Sequence, residues 1–239
     1  PDRISARAQQ GHALAIAFGL VLMAITGVAL VSGTHWPAVG WIGAPSLVLI
    51  ATYFVAIRMM FTYERRRPTA VSRPEDHDGA DITVHTALIR YAVAAIAVVA
   101  AAVSLPTLAA ELARETGLGD AFVGSLLVAI TTSLPEIVVS IAAVRMGAIE
   151  LGIGNVLGSN LFNLLILGLD DVFYRPGPLL QAADSSHLIL ALAVILMNAI
   201  FLIGLTQQVL TKRFRVAWDT GAMAVVYVAA VWLVYLTRG

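Results

Sequence analysis

The sequence predicts an all-α, polytopic transmembrane helix bundle of about seven spans. Three observations carry that reading. Of 239 residues, 59% are hydrophobic, and the mean hydropathy is +0.86. Only 13% are charged, about half the usual share of a soluble domain. The apolar residues also fall in long blocks, and seven of these reach about 18 residues or more, enough to cross roughly 30 Å of hydrocarbon. Inside lipid no water meets an open backbone, so each block must be helical. Fifteen Lys and Arg balance fifteen Asp and Glu, which excludes a basic nucleic-acid-binding face; membrane lipid is the expected surrounding and nucleic acid is not. The chain has no cysteine, which removes disulfide frameworks, thiolate metal sites and cysteine nucleophiles.

The first span, about 11–32, follows Arg3 and Arg7 and is too long for the apolar core of a signal peptide. With Pro1 in place of Met, the chain reads as a fragment or a processed form. The second span, about 40–61, ends where composition changes. Residues 62–85 hold Glu64, Arg65, Arg66, Arg67, Pro68, Arg73, Pro74, Glu75, Asp76, Asp78 and Asp81, a polar divider between a two-helix part and a five-helix part. The five later spans are placed at about 86–110, 120–145, 150–170, 186–208 and 215–236, with short connections.

An odd number of spans puts the two termini on opposite sides. One side then receives twelve of the fifteen Lys and Arg residues, among them Arg65, Arg66, Arg67, Arg73, Lys212 and Arg213; the other receives Arg114, Arg175 and Arg238. The bias assigns the N-terminus and the 62–85 linker to the cytoplasm, with a bacterial plasma (inner) membrane as the expected location. A weak echo links Leu22-Met23-Ala24-Ile25 to Leu196-Met197-Asn198-Ala199-Ile200, as if the first pair of spans repeated the last pair.

Polar side chains gather in two adjacent spans. The fourth carries Thr131-Thr132-Ser133-Leu134-Pro135-Glu136, and the fifth carries Gly154-Asn155-Val156-Leu157-Gly158-Ser159-Asn160-Leu161-Phe162-Asn163. A carboxylate deep in a span costs about 2.5–3.5 kcal/mol on insertion scales, so Glu136 requires a function. Thr132 and Glu136 are four apart and share a helix face. Pro135 has no N–H, so the carbonyl of Thr131 loses its helical partner and the turn is expected to kink. Hydroxyl, carbonyl and carboxylate oxygens on one side are ligands of the kind hard cations take. In the fifth span Asn155, Ser159 and Asn163 recur every four residues, with Asn160 beside them. Gly152, Gly154 and Gly158 are expected to allow close packing of a neighbouring helix. Singly, the Ser, Thr and Asn residues also read as interhelical hydrogen-bond glue, Pro135 as a kink and Gly154-x-x-x-Gly158 as packing. The intramembrane carboxylate and the joint pattern favour a binding site.

Residues 124–136 followed by 154–163 resemble the alpha-repeat of the cation/calcium exchanger superfamily, which includes the sodium/calcium exchangers. The resemblance implies a ten-helix fold of two inverted five-helix halves. On it, residues 86–239 correspond to a complete second half, with the alpha-repeat at about 120–170, and residues 1–61 to the last two helices of the first half. It implies a secondary antiporter that exchanges calcium for sodium by alternating access, with calcium and sodium or proton as transported ions and no cofactor. Glu136 would be the main cation-binding carboxylate. Thr132, Ser133 and the Ala129 carbonyl would add oxygens, Ser159 and Asn163 would complete the set from the next helix, and Asn160 belongs to the same signature. Asn163 stands where many family members have Asp, which removes a charge and leaves a cation/proton antiporter open. The first alpha-repeat, expected in the intact protein, would supply the second carboxylate.

Other readings start from weaker signals. Gly117-Leu118-Gly119-Asp120 matches the short signature of an intramembrane aspartyl protease, but Asp120 begins a span, where it would cap a helix, and no second intramembrane Asp accompanies it, since Asp170 and Asp171 are expected at a helix end. The five His residues sit at span ends or in loops, which disfavours a membrane serine protease. Asp76-His77-Asp78-Gly79 reads as solvated linker rather than a calcium loop. A non-transporting membrane fragment remains the structural alternative.

Overall fold

The computed structural model describes residues 6–65, 83–116, 129–184, 186–206 and 218–237, apart from the side chains of a few of them. The elements in order are α1 (Ala6–Ser32), a 3-10 turn (Gly33–His35), β1 (Ala38–Val39), β2 (Ile42–Gly43), α2 (Ala44–Arg65), α3 (Val84–Thr116), α4 (Ala129–Arg145), α5 (Ile149–Phe173), the single turn α6 (Leu179–Ala182), α7 (Ser186–Thr206) and α8 (Trp218–Leu236). The protein is thus an all-α membrane bundle, with one two-residue antiparallel pair among the described residues, Ala38 opposite Gly43 and Val39 opposite Ile42. Among the described residues six helices are long and apolar enough to cross a membrane: Gln9–Ser32, Ala44–Arg65, Val84–Ala101, Ile149–Phe173, Ser186–Thr206 and Trp218–Leu236. The fourth expected span appears as α4, of 17 residues; residues 120–128 of that expectation, including Asp120, lie outside the described residues, as does Asp76-His77-Asp78-Gly79.

The chain divides into two compact units, residues 1–67 with 139–239, and residues 68–138. In the first, α1 is central and packs against α2, α5 and α7; α2 also packs on α5, and α7 on α8. The core joins Ala15, Ile16, Leu22 and Ala29 of α1 to Leu49 of α2, Leu157, Leu161 and Leu164 of α5, Leu180 of α6 and Leu205 of α7. On α5 the buried residues Leu157, Leu161, Leu164, Leu165 and Gly168 form one stripe at helical spacing. Gly168 permits the closest part of this packing: a Cβ there would stand 3.0 Å from Ile50 Cγ1 and 3.1 Å from the Ser46 carbonyl oxygen. The second unit contributes α3, 33 residues long, about 50 Å at the helical rise.

Within the first unit the helix ends sort into two sets. At one, Gln9 Nε2 donates to the Leu205 carbonyl at 2.9 Å, and Tyr63 Oη donates to Gln10 Oε1 at 2.7 Å. At the other, the turn joining α1 to α2 meets the end of α5: Trp41 Nε1 donates to the Val172 carbonyl at 3.0 Å, and the Arg175 guanidinium lies 4.0 Å over the Trp41 ring. This is the alternation that antiparallel spans with short connections require.

Several boundaries differ from the sequence expectation. The second helix begins at Ala44 rather than about 40, because residues 38–43 form the short hairpin. Pro45 then falls in the first helical turn, where its missing N–H has no intrahelical acceptor to serve. The third helix runs on to Thr116 and the fifth to Phe173, past the acidic pair Asp170-Asp171.

Candidate functional site

The polar stripe of α5 lies opposite its leucine stripe. At 100° per residue, Asn155, Ser159 and Asn163 point about half a turn away from Leu157, Leu161 and Leu164. Burial against α1 and α2 therefore leaves that row outside the apolar packing of the unit. Its first member is engaged: Asn155 Nδ2 donates to Ser140 Oγ of α4 at 3.3 Å, and Ser140 Oγ approaches the Gly152 carbonyl at 3.4 Å. Gly152 makes this approach possible, since a Cβ there would stand 3.4 Å from the Ser140 carbonyl oxygen and 3.6 Å from Ala143 Cβ. Ser159 is half-buried, and its hydroxyl bonds the Val156 carbonyl at 3.1 Å. Asn160 and Asn163 are exposed.

Of the three glycines named from the sequence, Gly152 is the one that meets α4 closely among the described residues, and Gly154 and Gly158 do not. Among the described residues, a Cβ on Gly154 would meet His12 Cε1 at 3.9 Å, and one on Gly158 would meet nothing within 4 Å. The spacing of the glycines along the sequence does not say which of them faces the neighbouring helix.

On α4 the structure gives a continuous helix with Pro135 inside it. Thr132, Glu136 and Ser140 are spaced by four and lie on one face. Thr132, Ser133 and Pro135 are exposed and Glu136 is half-buried, with its Oε2 shielded. Ala129 is the first residue of the helix. Ser140 extends the Thr132–Glu136 row by one turn and meets α5; the sequence signal was present in the same four-residue spacing.

Asp171, which the sequence placed with Asp170 at a helix end without a role, is the second such residue. It is 0% exposed. Its Oδ2 accepts the Gly43 N–H at 2.8 Å, and its Oδ1 accepts the Leu179 N–H at 2.5 Å. One carboxylate thereby ties the end of α5 to the turn before α2 and to the start of α6. An acidic residue in the last turn of a helix opposes the helix dipole, and that mismatch is the signal for a dedicated set of donors.

Residues 86–236, more than half of the chain, match the family described as sodium/calcium exchanger protein. The sodium/calcium exchanger MaX1 of Methanosarcina acetivorans is 37% identical over 118 residues, which is 49% of this chain and 31% of that protein. The inner membrane protein YrbG of Escherichia coli is 38% identical over 86 residues, 34% of this chain and 26% of that protein. The chain therefore spans less than a third of the length of these relatives. No solved structure matches it.

Proposed function

The chain belongs to the sodium/calcium exchanger protein family, and on that premise we propose that it is part of a secondary antiporter that moves calcium across a membrane in exchange for sodium. The observation that carries the proposal is the pair of oxygen-bearing rows on consecutive helices, Thr132-Ser133-x-x-Glu136 on α4 and Ser159-x-x-x-Asn163 on α5, inside the segment that matches the family. In this reading Glu136 is the charged ligand, Thr132, Ser133, Ser159, Asn163 and the Ala129 carbonyl contribute neutral oxygens, and Asn160 belongs to the same cation-binding signature. Pro135 releases the Thr131 carbonyl from helical bonding, adding an acceptor beside the carboxylate.

Charge explains the exchange. A dehydrated calcium ion takes about 6–8 oxygen ligands. One carboxylate neutralises half of its charge, so a second acidic group from a further alpha-repeat completes the site. When calcium leaves, sodium ions or protons must occupy the same acidic oxygens, because an uncompensated carboxylate in the hydrocarbon layer is costly. Competition for one set of ligands, open to alternate sides, gives counter-transport. We place the arginine-rich 62–85 linker on the cytoplasmic side.

The second reading is calcium, or another cation, against protons. It is favoured by Asn163, whose amide supplies an oxygen without a charge. The test is calcium uptake into vesicles containing the native protein that carries this sequence, driven in turn by an outward sodium gradient and by an outward proton gradient. Sodium-driven uptake supports the primary reading; uptake driven only by protons replaces it with the second; no cation exchange under either gradient rejects antiport.

A further inference from the structure

At the end of the bundle where the α1–α2 turn meets α5, a cavity of about 10 Å³ is lined by Ala29, Ser46, Asp171, Pro178, Leu180 and Gln181, among others. Its walls are deep in the protein: Ala29 is 1% exposed, Ser46 1%, Asp171 0% and Leu180 6%. Two of those walls are polar. The Ser46 hydroxyl is buried and has no hydrogen-bond partner in the protein. The Asp171 carboxylate has about four lone-pair sites, and the backbone N–H groups of Gly43 and Leu179 use two of them.

A buried hydroxyl without a partner is destabilising. A buried carboxylate needs more than two neutral donors to replace its hydration. Each group here has what the other lacks, an O–H to give and lone pairs to fill, yet they face a common cavity instead of each other. The volume is at the lower edge of what one water molecule requires, about 10–15 Å³. Apolar cavities stay dry, whereas a buried water normally makes two to four hydrogen bonds. We propose that this cavity is a built site for one structural water, which accepts from the Ser46 hydroxyl and donates to the Asp171 carboxylate. A third bond is available from Gln181, whose Nε2 makes only a long contact, 3.5 Å, with the Trp36 carbonyl.

The water would complete a clasp. Asp171 already joins the turn before α2 to the start of α6; bridging to Ser46 adds the first turn of α2 itself. Three segments that meet at one end of the unit would then share one hydrogen-bonded centre. α5, which bears Ser159 and Asn163, would be fixed at that end to α2. A bare metal ion is the less suitable occupant, because hard cations want about six or more oxygens at short distance, and the side chains here offer one carboxylate, one hydroxyl and one amide.

Ser46→Ala distinguishes the cases by the sign of its effect. If the hydroxyl is bridged by water, its removal costs a hydrogen bond and leaves the water under-coordinated. The unfolding midpoint then falls by about 2–4 °C, the shift expected from one lost bond in a chain of this size. If the hydroxyl has no partner, its removal relieves a buried polar group and the midpoint stays or rises, which overturns the proposal. A structure at a resolution that shows ordered waters gives an independent reading. A single peak at about 2.6–3.2 Å from both Ser46 Oγ and an Asp171 oxygen supports it. No density there overturns it, and so does a peak with five or more oxygens near 2.4 Å, the mark of a bound cation.

Discussion

Asp171→Asn tests the clasp at the end of α5 in isolation from the transport chemistry. The carboxylate accepts two backbone N–H groups, at 2.8 and 2.5 Å, on its two oxygens. An amide of the same shape keeps one acceptor oxygen and presents an NH2 group to the other N–H. One bond to a charged acceptor disappears, a loss of about 1.5–3 kcal/mol. The stranded N–H of Gly43 or Leu179 adds about 1–3 kcal/mol if it finds no other acceptor. Against this stands the relief of removing a buried charge, which offsets part of the loss. A net destabilisation of about 2–3 kcal/mol follows, or about 4–12 °C in the unfolding midpoint of a chain this long. Thermal unfolding of the detergent-solubilised protein measures it, with Asp170→Asn as the control. Asp170 is adjacent and exposed, so its substitution should stay within about 0.5 kcal/mol. Equal midpoints for the two variants would refute the assignment of Asp171 as the tie between the three segments.

Other outcomes follow from the same geometry. Leu161 is 1% exposed in the core between α1, α2 and α5; Leu161→Ala should cost about 2 kcal/mol, the low end of the usual range, because in lipid the loss is of packing rather than of transfer from water. Leu151→Ala, at a residue 57% exposed, is its control and should leave the unfolding midpoint nearly unchanged. Asp184, between α6 and α7, is held below its ordinary 3.8 by hydrogen bonds from the Ser186 side chain and N–H, with a smaller contribution from His187. Its depressed value means that its support for the start of α7 is complete above about pH 4 and is lost as pH falls through the lowered value. Acid titration of the unfolding midpoint should therefore show in the parent a fall that Asp184→Asn lacks, so that the variant lies below the parent above about pH 5 and converges with it in acid.

The helices were legible because lipid leaves so few alternatives. Long apolar runs in this chain had to be helical, and α1, α2, α5, α7 and α8 lie where hydropathy put them. Their ends were less legible. Hydropathy does not distinguish the apolar hairpin residues Ala38, Val39, Ile42 and Gly43 from the first turn of α2, so the start of that helix shifted to Ala44. The polar row Asn155, Ser159 and Asn163 was visible in its spacing, and the structure sets it opposite the leucine stripe. Which glycine touches α4 was not visible, because Gly152, Gly154 and Gly158 differ only in the direction they face around the helix. The role of Asp171 was not visible for a related reason: its partners, Gly43 and Leu179, contribute backbone N–H groups, which carry no residue-type signal. Side-chain chemistry shows in a sequence; backbone donors brought together by folding do not.

The central claim is that Glu136 is the charged ligand of a transported cation. Its most direct test is Glu136→Gln in the native protein that carries this sequence, reconstituted into vesicles and assayed for gradient-driven calcium uptake. The substitution keeps size and one carbonyl oxygen and removes the charge, so uptake should fall at least about tenfold, the equivalent of 1.4 kcal/mol, while membrane insertion and the unfolding midpoint are retained. Uptake equal to that of the parent, from a variant inserted to the same extent, would contradict the account.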